Sequence, residues 1–403
     1  MDLNLTDEHL MVQKSAKDFA QREILPGLKD RDVKCEPDLK IIKKMGEAGF
    51  LGLCIPKKYG GQGFDYISLG LISLEFEKVD TSARVVLSVH NGLSSLTILQ
   101  WGTEEQKKRF LVPIAKGEKI SGFCLTEPNA GSDVIGIQSR AKKDGDYYIL
   151  NGEKTWISLA DLADQFLVIA YTDETKKSHG MSAFIVDRNF KGVHTSSIHG
   201  KLGVRAGNTG SISLQDVRVP KENMLGKEGD GFKIAMSALD SGRYTVAAGA
   251  VGITEACLEI SVRYANERET SGKPIGKHQL VQQMIAKMVA ARDIGRLLTY
   301  QVGWLKNVGK RNTRETSLAK WINCNNAFES ANDALQILGA YGFSNEFDVE
   351  RHFRNSRGAM IYEGTREIHT VLQGEYALGY REDKPLSTPL PSYPFECDIL
   401  NPV

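Results

Sequence analysis

The chain has 403 residues, of which 41% are apolar and 25% charged, so it can bury a large core and is neither a disordered chain nor a mini-protein. Its 51 basic and 50 acidic residues leave a formal charge of +1, which gives no overall electrostatic attraction to nucleic acid or to anionic lipid. Partners of those two classes are therefore not expected.

Six cysteines are scattered along the chain without a CxxC pair, at positions 35, 54, 124, 257, 324 and 397. This spacing argues against a disulfide framework and a zinc cage, so no metal is expected. No apolar run approaches the roughly 20 residues of a membrane span, and the first residues lack the features of a signal peptide. We expect a cytoplasmic protein.

The N-terminal part, residues 5–118, has apolar residues at helical spacing, for example Leu10, Ala16, Phe19 and Ile24. Between 120 and 226 the pattern changes to short apolar runs separated by turn pairs, as in a small antiparallel barrel. Asp-Gly at 144–145 and Asn-Gly at 151–152 predict two hairpins around a strand at 147–150. Further strands are expected at 166–171, 181–186 and 211–214.

After Gly231 the helical pattern returns, with Gly-rich breaks between segments. Four helices are predicted, at 232–267, 279–306, 314–341 and 365–379, followed from Asp383 by a proline-rich tail that either packs on a neighbour or is loose. The predicted fold class is α+β, mostly α: an N-terminal helical domain at 1–119, a central small antiparallel β-barrel at 120–226 and a C-terminal four-helix bundle at 227–403.

One loop has the residues of a phosphate-binding turn. In the segment 125–133, LTEPNAGSD, an apolar strand leads into a loop with the hydroxyls of Thr126 and Ser132, a glycine at Gly131 and a capping aspartate at Asp133. Such a loop could hold a pyrophosphate. A tight turn with a capped end is the alternative.

This segment and several others resemble the signatures of the acyl-CoA dehydrogenases. The similar segments span the chain in order: TEP and GSD within 126–133, KTWIS at 154–158, AAGAVG at 247–252, GKPI at 272–275 and IYEGT at 361–365. The resemblance implies an FAD-dependent enzyme with the three-part fold expected above.

The resemblance implies flavin contacts in the central part of the chain. Trp156 would lie beside the isoalloxazine, and Ser158 would offer a hydroxyl to its reactive edge. The other matching cofactor positions are Phe123, Leu125, Thr126, Gly131, Ser132, Ile157 and Thr365. For Trp156, a place in the hydrophobic core is the alternative.

In this family the adenine end of FAD is received partly by a neighbouring subunit, through residues that match Arg268, Gln336 and Gly339. The resemblance therefore implies an oligomer, usually a homotetramer. The sequence departs from the family at Ser271 and Ala340. Alternatively, Arg268 is an ordinary helix-end arginine that binds terminal carbonyls.

The segment around Glu363 resembles the one that carries the family's catalytic base. The resemblance implies that Glu363 removes the α proton of the thioester while a hydride passes from Cβ to flavin N5. Burial against the ligand would raise the pKa of the carboxylate, and the base residue's own N–H would bind the thioester carbonyl. Some branches place the base at the position of Gly242, which has no side chain. A helix-start glutamate is the alternative.

Two groups of residues match substrate contacts. Asp240 and Arg243 match positions that contact the CoA nucleotide, with an intrahelical ion pair as the alternative. Tyr362 and Gly364 flank the base and are also expected to line the substrate site.

The stretch 79–89 is similar to the glutaryl-CoA dehydrogenase branch. Arg84 matches its carboxylate-binding arginine, and Glu77 and Ser88 match pocket positions, although Val85 stands where a serine is expected. A terminal carboxylate would then select a glutaryl or other short dicarboxylic acyl group. Alternatively, Arg84 pairs with Asp80 on a helix surface, or a protein acid neutralises it inside a pocket for a short, branched or cyclic acyl chain.

These observations predict an acyl-CoA dehydrogenase that passes its electrons to an electron-transfer flavoprotein, a partner that the resemblance implies. A flavoenzyme in which oxygen or reductive flux dominates is a second possibility. A non-catalytic flavin or acyl-CoA binding protein is a third, and the retention of Glu363 argues against it.

Overall fold

The computed structural model describes residues 4–400, in which helices at both ends of the chain enclose one central sheet. The N-terminal α-helices are α1 (Asp7–Phe19), α2 (Leu28–Lys34), α3 (Leu39–Glu47), α4 (Tyr66–Val79), α5 (Thr81–Leu87), α6 (Leu96–Trp101), α7 (Glu104–Gln106) and α8 (Val112–Ala115). Three π-helical segments adjoin them, at Ala20–Ile24, Ser88–Ser95 and Lys107–Leu111. This confirms the predicted helical N-terminal part.

Helices α4 and α5 carry the pocket residues expected from the sequence, and two aspartates set their ends. The Asp65 carboxylate accepts from the Ser68 N–H at the start of α4. Asp80 adopts an extended conformation that ends α4, and its side chain accepts from the Ser82 N–H to begin α5. Almost all of α4 is buried, so the two helices meet at Asp80 inside the protein.

The central strands are β1 (Ser121–Cys124), β2 (Arg140–Asp144), β3 (Tyr147–Ser158), β4 (Gln165–Tyr171), β5 (Met181–Asp187), β6 (Val193–Ser197), β7 (Thr209–Pro220) and β8 (Met224–Leu225). They pair in the order β6-β7-β3-β2-β4-β5-β8, with β1 beside β4. The expected barrel is wholly antiparallel, whereas β1 and β2 both run parallel to β4. The sheet is therefore mixed, and its hydrogen-bonded order ends at β6 and β8.

One of the two predicted hairpins is wrong. The chain turns at Gly145, where Asp144 pairs with Tyr147, as expected. At Asn151 it does not turn: β3 continues to Ser158, and a bulge lies between Leu150 and Gly152 in its register with β7. An Asn-Gly pair suits a bulge as well as a turn, and the long partner strand β7 keeps β3 paired on both sides of it.

The C-terminal α-helices are α9 (Gly231–Glu267), α10 (Gln279–Asn307), α11 (Thr313–Leu338), α12 (Val349–Ala359), α13 (Arg366–Ala377) and α14 (Glu396–Leu400). A two-stranded ribbon of β9 (Glu269–Thr270) and β10 (Lys273–Pro274) joins α9 to α10. The predicted four-helix set omits α12. This helix buries polar residues such as Arg351, His352 and Asn355, so it lacks the apolar stripe by which sequence patterns identify a helix.

Helix α9 is long and apolar enough, by length and composition, to cross a membrane. One such helix is weak evidence for a membrane span, because a mostly buried core helix meets the same criterion. Most of the apolar window is instead buried inside the protein, at 83%. Its apolar character is accounted for by contacts with α4, α10 and α11.

The C-terminal tail packs on its own chain. The Tyr66 hydroxyl donates to the Pro391 carbonyl at 2.7 Å, and the Tyr393 N–H donates to the Asn307 carbonyl at 2.8 Å. Phe395 is buried against the N-terminal helices. The loose-tail alternative is thus wrong over these residues.

Candidate active site

Glu363 lies in the short connection between α12 and α13, outside either helix. Its backbone is left-handed, with φ of 54°, and Gly364 follows with φ of 101°. Thr365 then caps α13, where its hydroxyl accepts from the Ile368 N–H at 3.3 Å. The predicted helix start at Thr365 is confirmed, whereas Glu363 precedes the cap and is not a first-turn glutamate.

The Glu363 carboxylate points into the protein. Its Oε2 atom is buried and has no hydrogen-bond partner among residues 4–400. Burial raises the pKa of Glu363, and the nearby cations of Arg84, Lys320 and Arg243 oppose that rise. A carboxylate with a raised pKa and a free oxygen atom can accept a proton from a bound ligand.

Gly242, on α9, makes room for this carboxylate. A Cβ atom at Gly242 would overlap Glu363 Oε2 and also the Leu93 side chain. The position of Gly242, where some branches of the family that the sequence resembles place the base, is therefore adjacent to Glu363, and the glycine leaves room for the Glu363 carboxylate.

Buried cations hold the backbone of the Glu363 connection. The Lys320 ammonium donates to the Tyr362 carbonyl at 2.9 Å and to the Gly364 carbonyl at 2.6 Å. Arg243 Nε donates to the Glu363 carbonyl at 2.9 Å. Sequence reasoning identified Arg243 but missed Lys320, which lies within α11 without a motif around it.

Arg84 is fully buried, and its partners all lie within the protein. It forms an ion pair with Glu77, and donates to the Ser88 hydroxyl at 3.1 Å and to the Tyr362 hydroxyl at 2.6 Å. The alternative of a surface pair with Asp80 is wrong, because Asp80 caps α5 instead. A protein acid thus neutralises Arg84, and Tyr362 links it to the Glu363 connection.

The expected nucleotide contacts lie beside the base. Arg243 Nη1 is 3.7 Å from Asp240 Oδ1, which is the intrahelical pair, and Asp240 Oδ2 accepts from the Thr313 hydroxyl at 2.6 Å. Because Arg243 is buried and contacts Glu363, it belongs to the surroundings of Glu363, whether or not it also contacts CoA. The pair does not exclude the expected role, since Asp240 is half-buried.

The expected flavin residues lie on β1, on the loop after it and on β3. Phe123, Leu125 and Ile157 are buried, Thr126 and Ser158 are half-buried, and Gly131 and Ser132 are exposed on the loop. The Thr155 N–H donates to the Thr126 carbonyl at 3.0 Å, which places Thr126 beside Trp156. Asp133 leads a short 3₁₀ turn, but its side chain makes no capping hydrogen bond, so that part of the loop prediction is wrong.

Trp156 is 61% exposed and has a left-handed backbone, with φ of 57°. The core alternative is therefore wrong. A large aromatic residue in a strained conformation costs free energy and is retained where it meets a ligand. The exposed Trp156, the free hydroxyls of the loop and the open space beside Gly131 fit a flat cofactor with a phosphate group.

A buried ion pair, missed by sequence reasoning, fixes the loop. Lys154, on β3, donates to Glu127 Oε1 at 2.6 Å and to the Leu125 carbonyl at 3.2 Å. Glu127 also accepts from the N–H groups of Gln138 and Ser139. The TEP segment that contains Glu127 has the sequence of an exposed turn. Nothing in that local sequence indicates that Glu127 pairs with Lys154, 27 residues away.

The sheet and the base site share one element, the π-helical segment Ser88–Ser95. Ser88 contacts Arg84 at its start, while the His90 ring lies between the Ile114 carbonyl, at 2.9 Å, and the Ser121 N–H, at 3.2 Å. Strand β1 therefore packs on the same π-helical segment that contacts Arg84.

The residues expected to receive adenine lie at exposed helix ends. Arg268 follows α9, and Gln336 and Gly339 lie at the end of α11. Within the described part of the chain the Arg268 guanidinium has no hydrogen-bond partner, so Arg268 is a helix-end arginine that does not bind the terminal carbonyls. Residues 4–400 contain no group of three or more metal-ligating side chains, and the six cysteines are free.

Family models match the chain over most of its length. The description "Acyl-CoA dehydrogenase, N-terminal domain" matches residues 6–118, the middle-domain description matches 122–217 and the C-terminal-domain description matches 229–376.

Individual members of this family are similar to the chain over more than nine-tenths of its length. A short-chain specific acyl-CoA dehydrogenase of Clostridium acetobutylicum is 40% identical over 372 residues, which cover 92% of this chain and 98% of that protein. A glutaryl-CoA dehydrogenase of Desulfococcus multivorans is 39% identical over 387 residues, covering 95% and 99%. A chain solved in work on the electron transferring flavoprotein of Acidaminococcus fermentans superposes with a TM-score of 0.92 at 42% identity, covering 94% of this chain and 100% of that one.

Proposed function

The chain belongs to the acyl-CoA dehydrogenase family, an FAD-dependent family of enzymes, and on that premise we propose that it oxidises the Cα–Cβ bond of an acyl-CoA thioester with Glu363 as the base. The observation that carries the proposal is the buried, unpartnered Oε2 of Glu363 in the space left by Gly242. A non-catalytic binding protein would have no need to keep a carboxylate desolvated in this way.

The reaction requires the loss of a proton from Cα and of a hydride from Cβ. Bound FAD supplies the hydride acceptor. Glu363 takes the Cα proton, because its carboxylate is desolvated and its Oε2 is free to receive it. The Glu363 N–H would donate to the thioester carbonyl and stabilise the charge that develops there.

The residues that would hold FAD are those of the loop after β1 and of β3. Trp156 would cover one side of the flavin ring and exclude water, and the hydroxyls of Thr126, Ser132 and Ser158 would bind its polar groups. Arg268, Gln336 and Gly339 would receive the adenine of a second copy in a homotetramer. Their exposure at helix ends supports this arrangement.

We favour an uncharged acyl group, because the charge of Arg84 is paired inside the protein. Arg84 is neutralised by Glu77, and its Nη groups also contact Ser88 and Tyr362, so Arg84 offers a substrate no unpaired positive charge. A substrate carboxylate placed here would lose its hydration next to the Arg84–Glu77 pair, which has no net charge to compensate that cost. The short-chain specific relative supports this choice.

A short dicarboxylic acyl group, such as glutaryl, is the second candidate. Each Nη atom of Arg84 donates one hydrogen bond to the described protein, which leaves two N–H groups of the guanidinium for a ligand. The glutaryl-CoA dehydrogenase relative favours this reading.

Electron transfer to an electron-transfer flavoprotein is also part of the proposal. It is supported by the similarity to the chain solved in work on such a flavoprotein.

Anaerobic flavin bleaching tests the function. The purified holoenzyme is mixed with butyryl-CoA, isobutyryl-CoA, cyclohexanecarbonyl-CoA and glutaryl-CoA, and the loss of flavin absorbance is followed. We expect bleaching with at least one uncharged short thioester. Glu363→Gln should keep FAD and thioester binding but lose bleaching by at least about 10²- to 10⁴-fold.

The matched control is Glu367→Gln, because Glu367 is an exposed glutamate four residues further along the chain. It should bleach like the unmodified enzyme. Unchanged bleaching in Glu363→Gln would refute the assignment of the base, and the absence of bleaching with every thioester would refute the function.

A further inference from the structure

Three consecutive carbonyl groups around the base are bound by two buried cations. Lys320 contacts the carbonyls before and after Glu363, those of Tyr362 and Gly364, and Arg243 contacts the carbonyl of Glu363 itself. Carbonyls in a connection between helices usually bind water or the backbone of a turn. Here one ammonium group on α11 bridges the connection on both sides of the base.

The backbone at this point needs such support. Glu363 has φ of 54° and Gly364 has φ of 101°, so two successive residues lie in the left-handed half of conformational space. A non-glycine residue keeps such a conformation only where its surroundings hold it. The two hydrogen bonds from Lys320, at 2.9 and 2.6 Å, join the connection to the third turn of a 26-residue helix.

Lys320 also has an electrostatic relation to the base. It is 1% exposed, and the described residues offer its ammonium no carboxylate within hydrogen-bonding distance. Burial lowers the pKa of Lys320, whereas the Glu363 carboxylate acts to raise it. The Lys320 charge in turn counteracts the burial that raises the pKa of Glu363.

Several other groups face this pair, and each belongs to a different element. Arg84, on α5, and Arg243, on α9, are cations near both Lys320 and Glu363. Cys324, on α11, is a buried thiol whose pKa of about 11 keeps it neutral. His369, on α13, has a pKa lowered to about 3 by burial and by the neighbouring cations, so it is neutral as well. Within this group Lys320 is the one cation that also binds the carbonyls on both sides of the base.

We propose that Lys320 is a positioning residue for catalysis, whose ammonium holds the Tyr362 and Gly364 carbonyls so that the Glu363 carboxylate faces the substrate in its ionised form. This inference rests on the proposed function, since it assigns to Lys320 a task that exists only if Glu363 is the base. Lys320 does not contact the substrate; it acts through the backbone and the charge of the base.

The test is the pH dependence of anaerobic flavin bleaching in Lys320→Gln, Lys320→Met and Lys320→Arg. Glutamine keeps a hydrogen-bond donor but removes the charge, methionine removes both, and arginine keeps the charge. The rate should rise with pH as Glu363 ionises. In the two neutral variants we expect this rise to move to higher pH by about one unit or more, which is about a tenfold lower rate on the rising limb. Lys320→Arg should keep the limb of the unmodified enzyme.

Lys78→Gln is the control for the loss of a largely buried lysine of the helical region. Lys78 lies on α4 and pairs with Glu259 at 2.6 Å and with Glu255 at 3.5 Å. Its replacement should lower the free energy of unfolding and leave the pH limb in place. A purely structural role for Lys320 predicts the same pattern for all three Lys320 variants.

The outcomes separate the inference from the proposed function. If Glu363→Gln bleaches normally, the function is wrong. If Glu363→Gln is inactive and the neutral Lys320 variants keep the limb of the unmodified enzyme, the inference alone is wrong. Loss of FAD or of the folded state in both neutral variants, with Lys320→Arg intact, would show a requirement for folding and would overturn the positioning role.

Discussion

Replacing Arg84 with methionine should destabilise the protein strongly, and a second replacement should undo most of the loss. Both Arg84 and Glu77 have 1% exposed side chains, so removal of the guanidinium leaves a carboxylate buried without its counter-charge. The remaining partner of Glu77 is the Thr81 hydroxyl, at 2.7 Å. Such an uncompensated charge costs about 3–5 kcal/mol of unfolding free energy.

The double variant Glu77→Gln with Arg84→Met removes both charges and roughly preserves the volume. We expect it to lie within about 1–2 kcal/mol of the unmodified protein, since a buried pair replaced as a unit is often nearly neutral. The second replacement should therefore recover about 2–3 kcal/mol of the loss seen in Arg84→Met alone, so the two replacements should be strongly coupled. Urea unfolding of the four FAD-loaded proteins measures this coupling.

The same four proteins distinguish the two acyl candidates. If the pair is part of the scaffold of a pocket for uncharged chains, the double variant keeps butyryl-CoA bleaching within about tenfold, and glutaryl-CoA changes in parallel. A selective loss of glutaryl-CoA turnover, with butyryl-CoA turnover retained, would refute the reasoning and assign Arg84 to a substrate carboxylate. A coupling energy near zero would refute the buried ion pair itself.

Three further outcomes follow from the structure. Gly242→Ala should keep FAD but slow bleaching by about 100-fold, because its methyl group displaces the Glu363 carboxylate; an unchanged rate would contradict the packing. Trp156→Ala should leave the unfolding free energy of the apoprotein within about 0.5 kcal/mol and weaken FAD binding about tenfold in a dialysis assay; unaltered affinity would place the flavin elsewhere. Burial lowers the pKa of His90 to about 4, so between pH 6.5 and 4 this histidine is protonated in the unfolded chain but neutral in the folded protein. About 3 kcal/mol of unfolding free energy should be lost as the pH falls from 6.5 to about 4. Urea unfolding at pH 7 and 4.5 should show a smaller loss in His90→Gln. An equal loss in the variant would contradict this role of His90.

The base connection shows what the sequence could predict and what it could not. The IYEGT segment indicated Glu363, whose role as the base remains a prediction. The predicted helix start at Thr365 is confirmed by the cap of α13, because a helix start depends on neighbouring residues. Lys320 was out of reach: its partners lie 42 and 44 residues away, and a lysine in a helix is ordinarily a surface residue.

The errors in the fold have the same origin. Helix α12 was missed because its buried face is polar and paired with distant partners, such as the Val79 carbonyl that accepts from Arg351. The second hairpin failed because Asn151 and Gly152 fit a bulge, and only the partner strand decides between the two. The structure confirms the predicted elements whose local sequence pattern agrees with their burial, such as β4 and α9.

The length of α9 has a mechanical consequence. Ala238 belongs to the hydrophobic cluster of the N-terminal helices and the sheet, whereas Val246 belongs to that of the C-terminal helices. Gly242 lies between them, on about 12 Å of continuous helix. Gly242 and the Glu363 carboxylate beside it thus lie at the boundary between the two cores, next to one continuous helix. We therefore expect that destabilisation of either core displaces the Glu363 carboxylate through α9. Enzymatic activity and the folded state should then be lost over the same range of temperature.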